Sequence, residues 1–295
     1  MGTKYRMTDE TIEVDGHILH RIEALTDIPC AKVKAGDKGG FIESEENLSQ
    51  EGNCWVGGDA QVCNNARVFD NAQVFGDAQV SGNAQVFGDA EVSGNAQVFG
   101  GAWVFGNAQV YDGAIVTWFT RICDNAIVSG QAQVSGNAEV GGTAWVTDTA
   151  QVFDNAHVYE NAKVHGNAQV SGNAEVGGNA QVFGNAHVLG GAQVFGDAWV
   201  YDGAKVSWHA RICDNAIVSG SAKVSGSAKV SGLAWVTDNA YIYGSAQVFG
   251  NAWVRGNAEV YDRARVSGKA EVYDDTKVSG KARVSGITKL SGESA

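Results

Sequence analysis

The chain has 295 residues, 44% of them apolar, with 39 glycines and one proline, Pro29. That imbalance excludes an ordinary mixed domain and points to a repeat. A net charge of −12, five cysteines with no CxxC pair, and no apolar run of spanning length exclude an overall basic nucleic-acid footprint, a disulfide framework and a membrane helix, and predict a cytoplasmic protein. The charge is uneven: −5 over residues 1–53, −11 over 54–204 and +4 over 205–295.

Residues 1–53 stand outside the repeat. The start, MGTKYRMTDE, is too polar for a signal peptide, and Arg6 occupies the place where a myristoylation motif at Gly2 needs Ser or Thr. Residues 11–22 predict a β-hairpin with Asp15-Gly16 at its turn. Residues 33–42 and 48–56 then lead into the repeat; Val33 to Gly40 is a Gly-rich turn, since it lacks the spacing of a phosphate loop. Such a segment would cover the first turn of a solenoid, whose backbone groups are otherwise unpaired.

Residues 54–295 form the second region. From Val56 to Leu290 an aliphatic residue recurs every six positions, forty times, without insertion or deletion, in the pattern V-x-G-[ND]-A-x. Val and Ala alternate inward along short strands, while the Gly-Asn or Gly-Asp pair, tolerant of positive φ, marks each bend. Five of the six Trp that directly precede an aliphatic residue (Trp55, Trp145, Trp199, Trp235 and Trp253) are separated by multiples of 18; Trp103 alone is out of phase. Three hexads therefore close one turn, and about thirteen turns at ~4.8 Å each predict a rod roughly 60–65 Å long. Val and Ala should fill its interior with no polar group and no cavity.

This repeat resembles the left-handed parallel β-helix of the hexapeptide-repeat proteins; the left hand is implied by that resemblance. Together with Lys4-Tyr5-Arg6 and the two lead-in runs, the chain resembles the YdcK-like hexapeptide proteins of enterobacteria, prophages and phages, a group described as acyltransferase-like. The resemblance implies an oligomer, usually a trimer. It also implies, as an alternative function, an acyltransferase binding acyl-CoA in a cleft between subunits with a His base. The phage setting implies a further alternative, a decoy for a host protein or a small signalling molecule. The carbonic-anhydrase branch of the fold would need an H-x4-H pair, which the chain lacks.

The residues favour a non-catalytic reading. Of the six histidines, His17 and His20 fall in the hairpin, His157, His165 and His187 in outward slots, and His209 at a corner beside Trp208. His209 is the one candidate base, yet its counterpart in a near-copy ninety residues earlier is Phe119. No metal site and no cofactor is predicted. The acidic corners read as turn chemistry rather than DNA mimicry.

The near-copies are Val116 to Gly130 and Val206 to Gly220, where Trp118-Phe119 and Trp208-His209 replace the Gly-Asn pair. A Trp at a bend gains nothing from turn propensity, and Phe119 and His209 displace an Asn suited to positive φ. Trp145, Trp199, Trp235 and Trp253 share one outward column with Ile127 and Ile217, and Tyr111 and Tyr201 lie on the same side. The column that begins at Gln61 is mostly polar. The sequence thus predicts a binding or scaffold rod that self-associates through an aromatic face, with no membrane partner. At the far end, Lys269, Lys277, Lys281, Arg283 and Lys289 are expected to guard an open strand edge.

Overall fold

The computed structural model describes residues 3–292, so Gly2 and the last three residues of the tail lie outside the described residues. The chain divides into two compact units, Met1–Asp148 and Thr149–Ala295. Among the described residues no α-helix occurs, and no helix is long and apolar enough to cross a membrane.

The first unit opens with β1 (Tyr5–Val14), β2 (His17–Ala24) and β3 (Lys38–Ile42). Asp15 and Gly16 both take positive φ, 49° and 83°, as a two-residue hairpin turn requires. β2 pairs antiparallel with β3, and β3 pairs in parallel with Gln61–Val62, so the hairpin sheet runs directly into the repeat. Gly39 and Gly40 permit this approach: a Cβ on either would stand 2.5 Å from a carbonyl oxygen, that of Val56 or of Ala60. Arg21 fastens the join, donating to Gly39 O at 2.8 Å and to the Asp59 carboxylate at 3.0 Å. The Lys4 ammonium, itself buried, donates to Cys54 O at 2.9 Å. Burial pushes the Cys54 thiol up, with Lys4 opposing that shift.

Sixteen two-residue strands follow in the first unit, Trp55–Val56 to Trp145–Val146, and twenty-four in the second, Gln151–Val152 to Lys289–Leu290. Within each unit every two-residue strand pairs in parallel with a strand eighteen residues away, as in Glu91↔Gln109 and Lys205↔Lys223. Each unit is therefore a parallel β-solenoid of three strands per turn. Period-2 alternation sends Val and Ala inward, and from Ala60 to Ala270 those side chains are essentially fully buried. The interior is not wholly apolar. Thr120 takes an Ala slot, is fully buried, and donates its hydroxyl to Thr117 O at 2.5 Å.

The corners correct one expectation. Only the residue two places after the aliphatic position takes positive φ, as at Gly100 (73°) and Asp112 (60°); the Asn that follows does not. That Asn instead builds amide ladders along the solenoid. Asn161 donates to Asn179 at 3.0 Å, which donates in turn to Asp197 at 2.8 Å. An Asp at the positive-φ position has its own role, accepting an N–H one turn on: Gly130 N–H bonds Asp112 Oδ2 at 3.2 Å, and Gly232 N–H bonds Asp214 Oδ2 at 2.9 Å.

Candidate functional site

In the first unit, Trp118 occupies the corner between Ile115–Val116 and Arg121–Ile122 with φ 64°. A bulky side chain there costs roughly 1–2 kcal/mol. The indole is 63% exposed and recovers little of this by local packing. The backbone ladder continues through the corner: Gly101 N–H donates to Trp118 O at 2.7 Å and Phe119 N–H to Gly136 O at 2.9 Å. Phe119, also exposed, lays its ring over the preceding turn at Gly101, where the ladder elsewhere holds Asn.

The second unit repeats the arrangement at Trp208, φ 62° and 69% exposed, with His209 over Gly191. Phe119 and His209 thus do not occupy a positive-φ position; Trp118 and Trp208 do. A signal for this existed in the sequence: Gly100-Gly101 and Gly190-Gly191 each precede the aromatic pair by eighteen residues, in place of Gly-Asn. His209 is exposed, and no carboxylate bonds its ring among the described residues. His17 does meet a carboxylate, with Nδ1 2.9 Å from Glu43 Oε1. No group of three or more His, Cys, Asp or Glu able to hold a metal occurs among the described residues.

The tryptophan column is assembled as its spacing requires. In the first unit Ile127 is in register with Trp145, which is exposed, and Tyr111 lies half-buried on the same side. Trp55 shares the register but not the exposure. It is 5% exposed, because β3 covers it: a Cβ on Gly39 would stand 2.6 Å from its Cζ2. In the second unit Trp199, Ile217, Trp235 and Trp253 follow one another in register. The Trp235 and Trp253 rings stack with centroids 5.2 Å apart and 4° between planes. Phe183 is sandwiched between His165 (5.0 Å) and Tyr201 (4.8 Å), with Trp199 edge-on at 6.2 Å.

Aromatic ladders are not confined to that side. Phe69, Phe87 and Phe105 stack at 4.9 and 5.0 Å beside the Arg67 face of the first unit, and Tyr243 stacks on Tyr261 at 4.8 Å in the second. These ladders use the position just after the aliphatic residue, where a residue meets its own kind one turn on.

Strand register, corner conformation and inward Val/Ala packing define a parallel β-solenoid repeat protein. Three stretches of it are similar to a known repeat: the family model for the YdcK β-solenoid repeat matches residues 60–76, 121–136 and 210–226. The second and third matches begin within two residues of Phe119 and His209, directly beyond the two Trp corners. No curated protein matches the chain.

Proposed function

We propose that this protein is a non-catalytic β-solenoid that presents recognition surfaces and self-associates through the tryptophan face of its second unit, as a trimer. The observation that carries the reading is the stacked pair Trp235–Trp253, exposed on a strand position where Gln is the commonest residue elsewhere. Trp199 and Ile217 extend the patch along the same register. Trp235 and Trp253 are 40% and 43% exposed, so covering one is worth roughly 2–3 kcal/mol as an upper bound, and a contiguous apolar column left in water is an association hazard unless covered. A second copy supplies the same flat, periodic surface and needs no pocket.

The test is light scattering on the parent and on a Trp199→Gln, Trp235→Gln, Trp253→Gln variant. The parent should run as a multiple of 30.9 kDa and the variant as a single chain, with unchanged β-rich circular dichroism. A monomeric parent, or an oligomer of unchanged mass in the variant, ends the proposal.

A further inference from the structure

The two Trp corners are alike in backbone and unlike in their surroundings. Beside Trp118 the flanking strands present Ile115 in register with Gln133, and Arg121 in register with Glu139, which it pairs with at 3.6 Å. Beside Trp208 the same positions hold Lys205 in register with Lys223, and Arg211 in register with Lys229. All four cations are exposed, and among the described residues none of them forms an ion pair. Like charges placed directly opposite across strands destabilise a sheet. Elsewhere in this unit register sets opposite charges together, as in Glu259 with Lys277 at 3.1 Å and Glu271 with Lys289 at 2.9 Å. From Lys205 to Trp235 the only carboxylate is Asp214, which is turned to the next corner to accept Gly232 N–H.

We propose that the Trp208 corner of the second unit binds single-stranded nucleic acid, with bases stacking on Trp208 and phosphates held by Lys205, Lys223, Arg211 and Lys229. Two further features favour a strand over a small molecule. The Trp208 indole stands 69% exposed on an open corner, whereas small ligands need a concave site that buries most of their surface. A polymer gains instead from repeated contacts along an open track, with aromatic platforms between cations. Aromatic and basic residues recur along the same corner: Tyr241 and Tyr243 pack at 4.3 Å, Tyr243 stacks on Tyr261, and Arg265 lies in register with Arg283, while Glu259 ends the basic column by accepting from the Tyr243 hydroxyl at 3.0 Å. The net charge of −12 hides this patch, because the acidic residues concentrate before residue 205, and repulsion between exposed charges is screened beyond about 8–10 Å in physiological salt.

The experiment is fluorescence anisotropy of the full chain with labelled polyuridylate and polydeoxythymidylate of about 20 nucleotides. Four phosphate contacts predict an affinity that falls roughly fiftyfold between 50 and 200 mM salt. Replacing Lys205, Lys223, Arg211 and Lys229 with Gln should weaken binding at least tenfold and flatten that salt dependence. Trp208→Ala should weaken it about tenfold with the slope kept, and Trp118→Ala should leave both unchanged. Circular dichroism of each variant establishes that the fold is intact, and Gln is already common at these strand positions. Tighter binding of the RNA or of the DNA strand supports the proposal and assigns the strand. No binding at low salt, equal binding of duplex, or an affinity indifferent to Trp208→Ala would overturn it.

Discussion

The Phe119 ring stands over Gly101: a Cβ on that glycine would lie 3.0 Å from Phe119 Cδ1. His209 Nδ1 holds the same relation to Gly191 at 2.9 Å. Each aromatic corner is therefore a two-turn device, in which a residue that breaks the Asn ladder in one turn requires a missing side chain in the turn before. Gly101→Asn should destabilise the protein by about 1 kcal/mol, because the ring must leave its place. The same change in a Phe119→Asn background should be neutral or stabilising. A thermal double-mutant cycle measures the coupling, and additivity of the two changes would show that the contact is incidental.

Trp118→Asp should raise the melting temperature. Asp tolerates the left-handed conformation better than Trp, which relieves part of the roughly 1–2 kcal/mol of backbone strain. It also supplies a carboxylate that can accept the N–H of Gly136 one turn on, as Asp112 accepts that of Gly130 at 3.2 Å. A lower melting temperature would mean that the Trp118 indole makes a stabilising contact that outweighs the strain at φ 64°.

The joint between hairpin and solenoid should weaken in acid. The Asn64 N–H, donating to Glu43 Oε2 at 2.6 Å, and the His17 ring together hold the Glu43 carboxyl below its ordinary value of 4.5. A carboxylate whose folded pKa is depressed contributes stability above its unfolded pKa and loses it as pH falls through the folded one. Glu43→Gln should therefore cost about 1 kcal/mol at pH 7. The difference from the parent should shrink to nothing in strongly acid solution, as followed by urea melts across the acid range.

Thiol reactivity should separate the cysteines. Cys30 is exposed, whereas Cys54, Cys123 and Cys213 are buried. Burial, with Asp124 adding to it, pushes the Cys123 thiol up to about 11. At pH 8 a disulfide reagent should modify Cys30 first and the three buried thiols only on unfolding. Fast modification of Cys123 in the folded protein would contradict its placement against the corner.

Local chemistry explains how far the residues alone carry the structure. The hexad, the 18-residue turn and the inward Val/Ala pairs were all readable, because strand alternation and register repeat strictly over forty strands. The bend was readable as well, since Gly, Asn and Asp mark it. Which of the two bend residues takes positive φ was not, because both types tolerate it, and the Asn there serves an amide ladder that exists only once turns are stacked.

For the candidate surfaces, the sequence by itself determined which residues share a column: Trp145 with Ile127, Trp199 with Trp235 and Trp253, Lys205 with Lys223. Only the tertiary structure decided which of them meet solvent. β3, which belongs to no repeat, folds back to bury Trp55, while Trp118 and Trp208 stand clear of their own turns. The 18-residue period also sets Arg121 beside Glu139 and Arg211 beside Lys229, and the structure adds that the first pair closes to 3.6 Å. The reason is that a strict period fixes which residues meet from turn to turn, whereas exposure depends on what a non-repeating segment such as β3 covers, and that contact leaves no local trace.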